Sequence, residues 1–255
     1  MQAVVAILAV PAGLIFGSFA TVVAHRVPRR ESFVAGRSRC PHCGTTIAAY
    51  DNIPVVSWLA LRGRCRHCRV AIPARYPLAE LGMAALFAAT VLTLGTDDAT
   101  QLVLGLAFCA LLVVITLTDL ERRVIPNTVL AAGAIVAVAI AAVGDPSSLP
   151  DRMIAAAAAG GVLFLVALLY PRGMGMGDVK LAAVMGLYLG RAVAPALLIG
   201  FASGALVGLA LIARRGASAR KQAVPFGPFL ALGGVVALWW GNALVDWYLA
   251  TFFNG

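Results

Sequence analysis

Apolar residues fall into long runs at about 3–25, 78–95, 101–118, 128–144, 153–170, 178–190, 193–213 and 227–250. A run of about 20 apolar residues matches the hydrocarbon core of a bilayer. The pattern predicts eight transmembrane helices, of which the sixth and seventh are the least marked. Small residues, as at 154–161, suit close helix packing in lipid. One stretch, 26–77, breaks the apolar pattern with Arg, Pro, Cys and Trp, and reads as a small water-exposed module between the first two helices. No internal repeat is evident.

The sign of the connections tests this count. The 26–77 loop carries ten basic residues, all Arg, of the twenty in the chain. Arg122 and Arg123, then Arg172, then Arg214, Arg215, Arg220 and Lys221 follow in alternate connections. The intervening connections hold Asp97 and Asp98, then Asp145, Asp151 and Arg152, then Arg191. Eight helices with both termini outside put every strongly basic loop in the cytosol. The first run has no basic segment before it, and His25-Arg26-Val27-Pro28-Arg29-Arg30 after it. It reads as a retained helix rather than a cleaved signal.

Composition agrees. Of 255 residues 61% are hydrophobic and 12% charged, too few charges to cover a water-exposed surface. The net charge of +9 reads as cytosolic loop anchoring, and no nucleic-acid partner is expected.

Within 26–77 lie Cys40-Pro41-His42-Cys43 and Cys65-Arg66-His67-Cys68. Two C-x2-C pairs wrap four thiolates around one tetrahedral ion, and a reducing cytosol disfavours disulfides. The reading is a structural zinc site, with a redox dithiol pair as the alternative. His42 and His67 are expected to be solvated, His25 interfacial, and Cys109 a small buried residue. Tyr50 to Trp58 is expected to form strand-and-turn packing around the metal, with Trp58 at the membrane surface.

Ionisable groups at membrane depth need a reason. Asp119 directly follows an apolar run, and Pro126 separates that helix from the next. Asp178 lies in Gly173-Met174-Gly175-Met176-Gly177-Asp178-Val179-Lys180. The topology puts both aspartates at cytosolic helix ends. Two close carboxylates in a partly dry site share a proton, so one takes a proton from water while the other polarises a peptide carbonyl. Gly175 and Gly177 let backbone approach an extended substrate, and Lys180 tunes Asp178 or holds substrate. The plainer readings are Asp119 paired with Arg122 or Arg123, Asp178 as a helix cap, and Lys180 reaching to the surface; spacing alone leaves both sets open. Glu121 is expected to be solvated. Glu80 is expected to line the site or pair with Arg75.

Together these residues resemble the prepilin peptidase, or type IV leader peptidase, family of GxGD-type intramembrane aspartyl proteases. The resemblance rests on Gly17-Ser18-Phe19 with Arg26 and Pro28, and on the four-cysteine segment with Tyr50-Asp51-Asn52-Ile53-Pro54. It continues through Arg75-Tyr76-Pro77 with Glu80, Asp119 with Ile125-Pro126, Gly175 to Lys180, and Pro225-Phe226-Gly227-Pro228-Phe229. Asn127 departs from it, standing where an Asp is common in the family.

The resemblance implies an endopeptidase that cuts a short basic leader from prepilins or pseudopilins, substrates of type IV pilus or type II secretion assembly. It also implies N-methylation of the new terminus with S-adenosylmethionine, for which no binding residues are assigned. The expectation is an all-α polytopic protein of the bacterial plasma (inner) membrane, in contact with its lipid. Its parts are helix 1–25, a cytosolic zinc module 26–77 (Cys40, Cys43, Cys65, Cys68) and a membrane peptidase domain 78–255 with catalytic Asp119 and Asp178. The competing functions are a proton-coupled transporter using those aspartates as relays, and a non-catalytic scaffold that docks a partner through the zinc module.

Overall fold

A computed structural model describes residues 1–33, 36–170, 174–216 and 224–253. Arg172, Gly173, Arg220 and Lys221 lie outside the described residues. The chain divides into two compact units, Met1–Thr96 and Asp97–Gly255. The division falls beyond the second long helix, whereas the expected boundary at residue 78 lies inside that helix.

In the first unit, α1 (Gln2–Arg26) packs antiparallel to α3 (Arg75–Leu94). Glycine explains the closeness. A Cβ on Gly13 would lie 2.5 Å from the Ala84 Cα, and one on Gly17 would lie 2.6 Å from the Glu80 Cα. The Gln2 side chain donates to the Val91 and Leu92 carbonyls, satisfying the last turn of α3.

The segment between these helices contains 3-10 turns at Val27–Arg29 and Ala49–Asn52 and the short α2 (Val56–Ala60). Tyr50 to Trp58 is therefore helical turn rather than strand. The reason is a long-range contact: Val55, at φ 61, turns the chain into α2, and its amide donates to the buried Glu80 carboxylate at 2.7 Å. Ser18 bonds the same carboxylate. Trp58 turns inward, donating to the Ile72 carbonyl at 3.0 Å and lying against Gly63.

A small repeat, missed in the sequence, also lies here. The Cys40 amide bonds the Thr45 carbonyl and the Gly44 amide bonds the Cys40 carbonyl; Cys65, Val70 and Arg69 repeat the pattern. Each loop is closed by one β-bridge, Arg39 to Thr46 and Arg64 to Ala71. Gly44 (φ 70) and Arg69 (φ 60) occupy equivalent left-handed positions, which cost a non-glycine residue about 1–2 kcal/mol.

The second unit contains α4 (Ala99–Arg122), α5 (Asn127–Gly144), α6 (Leu149–Leu169), α7 (Met176–Leu189), α8 (Val193–Arg215) and α9 (Gly227–Phe252). They alternate in direction. Gly133 meets Leu111 between α4 and α5, and Gly160 meets Ala183 between α6 and α7. Gly204 meets Phe226 between α8 and α9. Helix α7 packs against α4, α5, α6, α8 and α9, so it is the centre of the unit.

Seven stretches are long and apolar enough to cross a membrane. One of them, Met176–Arg215, is 40 residues long and contains both α7 and α8. The two are joined by a 3-10 turn, Gly190–Ala192, that begins at Gly190 (φ 56). The eight expected helices are thus present among the described residues, but as seven spanning stretches, because α7 and α8 share one. With 14 residues, α7 spans only about 21 Å, short of a core of about 30 Å.

The α6–α7 contact is set by Gly186, where a Cβ would lie 2.5 Å from the Ala156 Cα. Backbone cannot yield as a side chain tip can, so Gly186→Ala should destabilise the unit by about 1–3 kcal/mol. Gly161→Ala, which meets nothing within 4 Å, should be close to neutral. Thermal unfolding in detergent would distinguish the two.

Candidate active site

Helix α4 ends because Arg123 adopts a left-handed conformation (φ 55), its amide closing on the Asp119 carbonyl at 2.8 Å. Asp119 therefore sits in the last turn, and its side chain is only 6% exposed. A carboxylate at the carbonyl end of a helix is unfavourably placed. The compensation comes from α9, whose first residue, Gly227, donates its amide to Asp119 Oδ2 at 2.8 Å. Glycine is required there, since a Cβ would lie 2.9 Å from that oxygen.

Asp178 is half-buried, in the first turn of α7. Its Oδ2 accepts the Gly175 amide at 3.2 Å, and the positive helix end favours its charge. The cap reading of Asp178 is therefore correct as geometry, and it does not exclude chemistry. Gly177 lies against Ile125, where a Cβ would approach to 3.0 Å. Lys180 Nζ donates to Asn127 Oδ1 at 2.9 Å. The end of α4 and the starts of α5, α7 and α9 thus converge at one end of the unit. Asp119 and Asp178 lie within electrostatic reach of one another there. Asp119 makes no ion pair among the described residues, and Arg123 acts on it only through space.

In the first unit, the Sγ atoms of Cys40, Cys43, Cys65 and Cys68 all lie within 4.8 Å of one another, and Cys40 Sγ is 3.7 Å from Cys68 Sγ. A zinc ion at about 2.3 Å from each sulfur sets sulfurs about 3.8 Å apart, so the four thiols fit one tetrahedral ion. Hydrogen bonds with the Thr45 side chain and backbone lower the Cys43 thiol, and contacts within the same cluster raise that of Cys68, so the four sulfurs titrate as one set. His42 and His67 are exposed, as expected, and Cys109 is fully buried. Asp51 pairs with Arg66 at 2.6 Å, and that guanidinium lies over the Tyr50 ring, tying the intervening segment to the second cysteine loop.

Residues 12–94 match the bacterial peptidase A24 N-terminal domain, and residues 106–211 match the type IV leader peptidase family. A prepilin leader peptidase/N-methyltransferase from Aeromonas hydrophila is 37% identical over 94% of this chain and 92% of its own length. Proteins of the same name from Burkholderia pseudomallei (strain K96243) and Bacillus subtilis (strain 168) are 36% and 34% identical. They are matched over 92% and 93% of this chain and 85% and 95% of their own lengths.

The chain belongs to the type IV leader peptidase family. Membership makes it a multi-pass membrane peptidase rather than a transporter or a scaffold. No solved structure matches the chain.

One contributor escaped sequence reasoning. The segment Pro225 to Phe229 was recognised without a role, yet Gly227 supplies the amide that holds Asp119. The available signal was a glycine preceding a helix-starting proline, Pro228. It marks a helix N-terminus but does not name the partner.

The four-thiol cluster should hold one metal ion per chain. Elemental analysis of the purified protein should find it, and the Cys40→Ser, Cys43→Ser double variant should lose it while keeping the helical content of the second unit.

Proposed function

We propose that this peptidase cleaves the basic leader of prepilins or pseudopilins, using Asp119 and Asp178 as the catalytic pair. The observation that carries the reading is the convergence of the two carboxylates at one end of the second unit. Each accepts an amide from a helix start, Asp119 from Gly227 and Asp178 from Gly175. The pair shares one proton. Its ionised member takes a proton from water as that water attacks the scissile carbonyl, and its protonated member hydrogen-bonds the carbonyl oxygen. The C–N bond then breaks, and the departing amine takes up a proton from the pair. Gly175, exposed and extended, offers backbone to the substrate strand, and Gly177 keeps that segment close to Ile125. Lys180, bonded to Asn127 at the start of α5, is a candidate to hold the substrate.

The carboxylate end of the second unit carries Arg122, Arg123, Arg214 and Arg215, and the opposite end Asp97, Asp98, Asp145 and Asp151. That asymmetry supports a cytosolic carboxylate end in the bacterial inner membrane. The ten arginines of 26–77 support a cytosolic position for that module, with zinc as the ion of its four thiolates. Zinc there would cross-link a segment too small to fold on its own core. The relatives' names also support methylation of the new N-terminus with S-adenosylmethionine as methyl donor, and pilus or secretion systems as the users of the product.

Cleavage of a detergent-solubilised prepilin, with S-adenosylmethionine omitted, tests the pair. Asp119→Asn and Asp178→Asn should each lower the rate by about 10²–10⁴-fold or more while remaining folded. Cleavage by either variant at the wild-type rate would remove that residue from the mechanism. Gly227→Ala should lower kcat more than it raises KM, because the atoms its methyl group meets are those of the Asp119 carboxylate.

A further inference from the structure

The second unit has a cavity of about 500 Å³ at the end away from Asp119 and Asp178. The start of α4, the α5–α6 connection, the last turn of α7 and the later part of α9 surround it. Arg152 lines it, half-buried near the start of α6. Its Nη1 donates to the Leu187 and Tyr188 carbonyls at 3.1 and 2.7 Å, and its Nε to Ser148 Oγ at 3.1 Å. These bonds satisfy carbonyls in the last turn of α7.

The charge balance is uneven. Across the cavity, Arg191 is neutralised by Asp246 at 2.8 Å and also bonds Asn242. Arg152 touches no carboxylate among the described residues, and its Nη2 has no hydrogen-bond partner among them. Asp98 and Asp145 act on it only through space. A half-buried guanidinium without a contacting counter-charge is costly at a membrane edge, and a phosphate oxygen is the partner that matches its fork. Asp98 and Asp145 act on the same cation through space and the exposed Asp151 lines the cavity, so a ligand with net negative charge is repelled while one that also carries an ammonium is favoured. The lining includes Ile154, 66% exposed on α6, an apolar surface against which acyl chains can lie.

We propose that this cavity binds a zwitterionic phospholipid headgroup, its phosphate on Arg152 and its ammonium toward Asp151. Bound there, the lipid neutralises the cation that caps α7 and so couples the membrane to the central helix of the unit. The site is independent of the peptidase chemistry.

The test uses the full chain, purified and stripped of lipid. It is exposed in turn to phosphatidylethanolamine, to phosphatidylglycerol and to inorganic phosphate. Native mass spectrometry reads retention, and thermal unfolding reads stabilisation. Phosphatidylethanolamine should be retained and should raise the unfolding midpoint; phosphatidylglycerol and inorganic phosphate should do neither. Arg152→Gln should weaken retention about tenfold, and Arg152→Lys, which keeps the charge without the fork, should weaken it less. Asp151→Asn, which leaves the α7 cap intact, should narrow the preference for phosphatidylethanolamine, and it decides the matter if Arg152→Gln does not fold. Equal retention of the two lipids, a shift with inorganic phosphate alone, or wild-type retention by a folded Arg152→Gln would each overturn the proposal.

Discussion

A carboxylate buried at the carbonyl end of a helix, inside a protein that lives in lipid, meets two penalties at once: desolvation and an adverse dipole. Asp119 is in that position, and much of the second unit is arranged around relieving it. The Gly227 amide must arrive within hydrogen-bond distance, so α9 must begin there and must begin with a residue that has no Cβ. Helix α4 must stop at once, which Arg123 accomplishes by turning left-handed. The same stop sends Ile125 against Gly177, just ahead of Asp178, so a single electrostatic problem brings four helix ends together.

The centre of the unit obeys a second constraint. Helix α7 is enclosed by its neighbours, and the close approach of α6 is possible because Gly186 exposes bare backbone. At its start it carries an acid and at its end it is capped by a guanidinium, the two charges that suit its dipole. Buried Tyr188 stacks on Phe108 and donates to the Gly133 carbonyl, fixing the rotation of α7 against α4 and α5.

Much of this was legible in the sequence, for identifiable reasons. Long apolar runs and the alternation of basic loops marked the helices, because a bilayer imposes length and charge rules that water does not. The four cysteines were legible because a tetrahedral ion demands paired thiols at short spacing. Asp119 and Asp178 stood out because charges at membrane depth are costly. What stayed hidden depends on distance between segments far apart in the chain. The Gly227 amide reaches Asp119 across more than a hundred residues, and no local pattern encodes that meeting. Tyr50 to Trp58 reads as strand-and-turn, but Val55 adopts a positive φ to reach Glu80, a tertiary override of local preference. The matching of the two cysteine loops was obscured because Arg69 stands where the first loop has Gly44.

The brevity of α7 also bears on how the chain is made. A segment of 14 residues that contains Asp178 and Lys180 is a poor candidate to leave the translocation machinery and settle in lipid alone. Only three residues separate it from α8, which is long and apolar. The two therefore enter the membrane as one hairpin, with α8 supplying the hydrophobic drive for both. The Gly227 amide that holds Asp119 lies beyond α8, so the contact between the end of α4 and the start of α9 forms only after the nascent chain has been extended past that hairpin.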